Sequence, residues 1–149
     1  MPIMGVSKFE RLFRAAGSLD VDRDDIKRYG DFVNQKLHDL LLIAQATAKA
    51  NSRDVIQSSD LPITKGLQES IHNFTKLDQE IETQPILAYL ATRPPLDLAL
   101  SEEVQERLPV IAGGLSVALA RTFKIIDPHR RNPGAQEWER AFQIFDLLL

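Results

Sequence analysis

Two segments of the chain contain an arginine followed seven residues later by a carboxylate. Arg53 precedes Asp60, and Arg130 precedes Glu137. A cation and an anion at this spacing can form an ion pair across a loop and fix how one helix leads into the next. The pattern therefore predicts two structural clamps, Arg53 with Asp60 and Arg130 with Glu137, and indicates no reaction chemistry.

The other polar residues form no catalytic or metal-binding motif. His38, His72 and His129 have no spacing typical of a metal site or a proton relay. The acid pairs Asp24-Asp25 and Glu102-Glu103 are typical of helix starts, where the helix dipole favours negative charge. The absence of cysteine excludes disulfides and thiolate chemistry. We therefore expect no enzyme, no metal or other cofactor, and no small-molecule substrate.

The composition is that of an ordinary globular protein, since 44% of the 149 residues are hydrophobic and 26% are charged. A net charge of −3 provides no overall basic field to hold nucleic acid. The first residues have neither the charged region nor the apolar core of a secretory signal. The longest apolar-rich stretches fall short of the ~20 residues that span a bilayer. We therefore expect a cytoplasmic protein that does not contact a membrane.

Hydrophobic periodicity in the first half predicts a short helix followed by a long one. The short helix should begin with Ser7 as its N-cap and end with Gly17 in the left-handed conformation. The long helix should run from Asp24 or Asp25 to about Asn51, with Lys36 among the polar residues outside its apolar stripe.

A third helix should be capped by Asp60, with Pro62 in its first turn. The second half repeats the plan: a short helix opens at Thr83, and a long helix starts at Ser101 and stops at Asp127-Pro128. A final helix carries apolar residues from Trp138 to Leu149. The chain therefore predicts six helices.

Two features stand out inside the second long helix. Pro109 predicts a kink or an irregular turn, because proline removes a backbone donor. Gly113-Gly114 lies in an apolar helical pattern, so it predicts a close crossing where bare backbone lets another helix approach.

The two halves are related by an internal repeat. A shift of 77 residues places Phe9 on Ile86, Arg53 on Arg130 and Asp60 on Glu137. In the long helices a shift of 78 aligns the apolar positions better, as for Leu37 with Leu115. We predict one compact domain, residues 1–149, made of two short–long–short units at residues 7–80 and 83–149.

Short, long and short helices, with an Arg in the second loop seven residues before an Asp, resemble the histone fold. The segment Arg53 to Leu61 is similar to the second loop of archaeal histones. Two such units in a chain of this length resemble a small bacterial family of uncharacterised proteins built as histone pseudo-dimers. The resemblance implies an all-α fold in which a duplicated histone fold pairs within one chain.

In histone pairs the first loop of one unit lies beside the second loop of the other, and these edges hold DNA phosphates. Here both implied edges would be net acidic, around residues 20–25 with 127–131 and around residues 93–103 with 53–60. Phosphate binding depends on clustered Lys and Arg, so the local chemistry disfavours DNA.

Two small basic clusters remain as candidate contacts for DNA or another partner. Lys8, Arg11 and Arg14 lie on one face of the first helix, and His129 with Arg131 lies in the loop of the second clamp. We favour a simpler explanation for each: a solvated helix face for the first cluster, and a structural role in the clamp loop for the second.

The final helix has more large apolar side chains, from Phe142 to Leu149, than one buried stripe needs. Some of them could cover a neighbouring helix or contact a second molecule. We therefore expect a non-catalytic protein-interaction or assembly module, with a protein partner or self-association. Histone-like DNA binding by a nucleoid-associated protein is the alternative.

Overall fold

The computed structural model describes residues 3–77 and 79–149, and helices dominate this part of the chain. The expected all-α fold with two sets of short, long and short helices is confirmed. Two short strands, β1 (Val55–Ile56) and β2 (Ala99–Leu100), lie in the loops. The helices are α1 Val6–Gly17, α2 Ile26–Ala50, α3 Lys65–Lys76, α4 Thr83–Leu90, α5 Glu102–Ile126 and α6 Ala135–Leu148.

The long helix α5 is the centre of the packing. Both short helices of the first half, α1 and α3, pack against it, and the α3 contact is the most extensive in the described chain. A Cβ added at Gly113 would lie 2.3 Å from the Phe74 ring, and one at Gly114 would lie 2.5 Å from Ile71 Cγ1. The glycines therefore mark the predicted close approach, and the helix that approaches is α3.

The loops of the two halves meet at two edges. At one edge β1 pairs in parallel with β2, and the Ser101 N–H donates to the Ile56 carbonyl at 2.9 Å. At the other, the Asp20 N–H donates to the Arg131 carbonyl at 2.7 Å. The first loop of each half thus lies beside the second loop of the other half, as the resemblance to histones implied.

The two long helices are joined by a buried hydrogen bond. The Tyr29 hydroxyl on α2 lies 2.8 Å from Ser116 Oγ on α5, and Ser116 also donates to the Ala112 carbonyl at 2.7 Å. Burial raises the pKa of Tyr29. Because each hydroxyl has a partner, this polar pair can be buried without a large desolvation cost.

Three predicted helix ends are wrong. Helix α1 begins at Val6 with Gly5 as its N-cap, because buried Ile3 and Met4 fix the chain before it, so Ser7 lies within the first turn. At its C-terminus Ser18 takes the left-handed conformation (φ 53°), and Gly17 is still helical. A Cβ on Gly17 would lie 3.0 Å from the Ala120 carbonyl oxygen, so the glycine allows the end of α1 to pack closely against α5.

The third wrong end is that of α3, which begins at Lys65 with Thr64 as its N-cap. Asp60 instead ends a short 3₁₀ turn, Ser58–Asp60. Leu61 is extended (ψ 128°), because the residue before a proline is driven out of the helical region. Pro62 therefore lies in a linker before the helix.

The start and end of α5 agree with the sequence. The Ser101 hydroxyl accepts a hydrogen bond from the Val104 N–H at 3.2 Å, and the helix ends at Ile126. Contrary to expectation, this helix is long and apolar enough to cross a membrane by length and composition, but 56% of its most apolar window is buried among the other helices. That burial is typical of the core helix of a globular protein.

Candidate interaction surfaces

The first clamp forms around a buried carboxylate. Asp60 is 3% exposed, and its Oδ1 is paired with the Arg53 guanidinium. Asp60 Oδ2 accepts the Gln57 N–H at 2.8 Å, which closes the 3₁₀ turn. Arg53 Nε is buried without a hydrogen-bond partner among the described residues. The pair thus holds the end of α2 to the segment that leads into α3.

The second clamp has the same connectivity. Arg130 Nη1 lies 3.0 Å from Glu137 Oε1, while Glu137 Oε2 accepts the Gly134 N–H at 3.2 Å. Arg130 Nε donates to the Asn132 carbonyl at 2.7 Å. The Arg130 side chain is 48% exposed and that of Glu137 12%, so this pair is more open to solvent than the first.

Neither loop edge offers a cluster of free cations for phosphate. At the strand edge Lys49 pairs with Asp97 at 2.5 Å, and Arg107 donates to Ser58 Oγ at 2.5 Å. At the other edge Arg23 and Arg131 are exposed among the acids of the first loop. Counterion release from DNA needs several unpaired cations on one surface, which these edges do not present.

The basic face of α1 is exposed but lies near acids. Lys8, Arg11 and Arg14 all face solvent. Lys8 shares the lining of a surface cavity of about 400 Å³ with Glu80 and Glu82, which precede α4. These acids oppose the attraction of a polyanion to this face.

The other candidate contacts lie in the second clamp loop. His129 and Arg131 are exposed, and the His129 N–H donates to Asp127 Oδ1 at 3.1 Å. The Arg131 carbonyl takes part in the loop contact with Asp20. These contacts fix the backbone of the loop and leave both side chains in solvent.

An apolar groove opens where α3, α5 and α6 meet, with a volume of about 430 Å³. We call it the α5–α6 groove; among its lining residues are Leu67, Ala118, Ile125, Ile144, Phe145 and Leu148. Ile125 is 81% exposed and Leu148 74%, and the neighbouring Leu147 is 85% exposed. Large apolar side chains at such exposure mark interaction sites when they cluster.

Charges of both signs lie in and beside the α5–α6 groove. Arg121 lines it, and the charge of Arg121 acts on Glu69 of α3, which lines a neighbouring cavity and pairs with Lys65 at 2.9 Å. The hydrogen bond from Lys65, together with the charges of Lys65 and Arg121, lowers the pKa of Glu69. The sequence indicated the exposed apolar residues at the end of α6. The groove residues on α3 and α5 could not be predicted, because tertiary packing brings them beside α6.

The burial of two charged groups, Lys36 and Asp25, is not evident from the sequence. Lys36, predicted outside the apolar stripe of α2, is only 3% exposed, because α6 packs over it and supplies Asp146 as an ion-pair partner. Asp25 is 5% exposed and accepts the Trp138 indole N–H at 3.2 Å. Burial raises the pKa of Asp25, although the Asp22 N–H and Trp138 oppose that shift.

Comparison with solved structures defines the class of fold. The histone from Methanopyrus kandleri superposes with a TM-score of 0.62 at 15% identity, covering 91% of this chain and 90% of that one. The match extends over both halves of the chain, so the fold is histone-like throughout.

The chain belongs to the family described as Domain of unknown function (DUF1931), which it matches over residues 9–146. A crystal structure of a Thermus thermophilus protein is similar at 50% identity and a TM-score of 0.94, covering 99% of both chains. An Aquifex aeolicus structure has 30% identity and a TM-score of 0.81, covering 96% of this chain and 94% of that one. An uncharacterized protein from Aquifex aeolicus strain VF5 is 31% identical over 95% of this chain and 82% of its own length.

Proposed function

We propose that this protein is a non-catalytic assembly module that binds a second copy of itself through the α5–α6 groove. The observation that carries the proposal is that Ile125, Ile144 and Leu148, which are exposed by 36–81%, line one groove. Leu147, which is 85% exposed, is next to Leu148 in the chain. Membership of a histone-like family argues against catalysis, and it leaves binding as the role to test.

A second copy is compatible with the charges beside the groove, since Arg121 and the nearby Glu69 have opposite signs. In a two-fold interface each surface meets its own equivalent, so both signs are present on both sides of the contact. Four large apolar side chains at these exposures also supply the apolar centre that a stable interface needs inside its polar rim.

Light scattering coupled to gel filtration over a range of concentrations tests the proposal. We expect a mass above that of the 16.8 kDa chain, falling to the monomer mass in Leu148→Glu. Ile43→Glu is the matched control, because Ile43 is 53% exposed on α2 and does not line the groove. A wild-type protein that stays monomeric at every concentration would exclude self-assembly.

DNA binding is the second candidate, supported by the exposed Lys8, Arg11 and Arg14. Fluorescence anisotropy with duplex DNA at low salt tests it. If the α1 face binds phosphate, affinity should fall with salt and fall further in a Lys8→Glu/Arg11→Glu/Arg14→Glu variant. No binding at low salt would remove this candidate.

A further inference from the structure

A second cavity, of about 440 Å³, lies between α2, α4 and α6. It shares no lining residue with the α5–α6 groove, so it is a different site from the one proposed for assembly. Cavities that hold small molecules in proteins have volumes of roughly 300–1,000 Å³. We call it the α2–α6 cavity.

The walls of the α2–α6 cavity include aromatic rings. Phe32 on α2 and Phe142 on α6 stack with their ring centres 5.4 Å apart and their planes 10° apart. Tyr89 on α4 also lines the cavity, and the Arg93 guanidinium lies over its ring at 5.4 Å. Such walls suit a ligand with a flat apolar body.

The charged groups of the cavity differ in whether they have partners. Lys36 Nζ pairs with Asp146 and, at 3.3 Å, with Asp39. Asp31 accepts a hydrogen bond from the Tyr89 hydroxyl at 3.3 Å. Arg93 takes part in none of the ion pairs among residues 3–77 and 79–149, and its Nε is buried without a partner. Because Nε is closed to solvent, a ligand in the cavity has to pair with the terminal nitrogens of the Arg93 guanidinium.

We propose that the α2–α6 cavity binds a small aromatic carboxylate, whose anion pairs with Arg93 and whose ring packs against Phe142 and Phe32. Arg recognises a planar carboxylate through two parallel hydrogen bonds. Asp31 and Asp146 line the same cavity and repel negative charge. A single charge on the ligand is therefore favoured over the double charge of a phosphate.

Isothermal titration calorimetry of the full chain with benzoate tests this proposal, with benzyl alcohol and inorganic phosphate as comparison ligands. We expect saturable one-to-one binding of benzoate and at least about tenfold weaker binding of each comparison ligand, because each lacks either the carboxylate or the ring. Absence of saturable benzoate binding, or equal binding of phosphate, would overturn the proposal.

Three variants separate a binding role from a structural one. Arg93→Gln should weaken benzoate binding by about tenfold or more, while Asp31→Asn should strengthen it by removing a repelling charge. Arg140→Gln is the control, because Arg140 is exposed on α6 and does not line the cavity. Circular dichroism verifies the fold of each variant, and unchanged affinity in a folded Arg93→Gln protein would exclude Arg93 as the anion partner.

Discussion

The two clamp loops have the same sequence spacing but different surroundings. Asp60 is almost fully buried, and its loop also carries β1, which pairs with β2. The Arg130–Glu137 pair is more exposed. Among the described residues its loop contains no strand, and one backbone hydrogen bond, from Asp20 to Arg131, joins it to the loop between α1 and α2. The same spacing therefore gives the same type of ion pair in both loops, and we expect the two pairs to differ in their contribution to stability because their burial differs.

The loop of the second clamp is anchored by aromatic packing. Trp138, which directly follows Glu137, is 1% exposed and packs edge-on against Phe123 with ring centres 4.8 Å apart. Its indole N–H reaches Asp25, so α6 is joined to the start of α2. The first edge thus depends on a strand pair and a buried clamp, and the second on aromatic packing.

Trp138→Ala should have the largest effect of the substitutions that test this comparison. We expect a loss of about 3–5 kcal/mol of unfolding free energy, because the change leaves a large cavity and removes a donor from buried Asp25. Urea denaturation followed by circular dichroism measures it. A loss below about 1 kcal/mol would show that the second edge does not depend on this side chain.

Arg53→Ala should come next, with a loss of about 1–3 kcal/mol, because it leaves the buried Asp60 carboxylate without its cation. The same denaturation experiment applies, and a double-mutant cycle with Asp60→Asn isolates the pair. Unchanged stability combined with the loss of a binding activity would make Arg53 a contact residue and refute the clamp.

Arg130→Ala should cost less, about 0.2–1 kcal/mol, since the pair is more exposed and solvent screens it. It is the matched control for Arg53→Ala, because the two arginines occupy equivalent positions in the repeat. Equal losses of unfolding free energy in the two variants would contradict the view that the more buried clamp contributes more to stability.

Asp25→Asn should have the smallest net effect at neutral pH, because it removes a desolvated charge but also replaces one of the two oxygens that accept the Asp22 and Trp138 N–H groups. The folded-state pKa of Asp25 is raised above its ordinary value of 3.8 by burial. The protonated form is thus favoured in the folded state, so this group contributes stability below pH 3.8 that is lost as the pH rises through the raised pKa.

Chemical denaturation of both proteins across this acidic range measures the effect. The unfolding free energy of the wild type, relative to Asp25→Asn, should fall with rising pH and then become constant. A difference that is flat or rises across that range would contradict the raised pKa.

The sequence predicted the features that depend on nearby residues. Ser101 and Asp127 gave the ends of α5 correctly, because a cap and a proline act within one helical turn. Ser7 and Asp60 failed as caps, since buried Ile3 and Met4 and the geometry before Pro62 outweighed the cap pattern. Gly113-Gly114 indicated a close approach without telling which helix approaches.

By itself the sequence determined six amphipathic helices in two matching sets and two Arg–carboxylate pairs, because periodicity and loop spacing are local properties. Only the tertiary structure decided that α3 packs on the glycines of α5, that Lys36 and Asp25 are buried, and that the α5–α6 groove stays open. These features arise where residues distant in the chain meet. The burial of a side chain is set by the partner element that covers it, and that partner is not encoded in the local pattern.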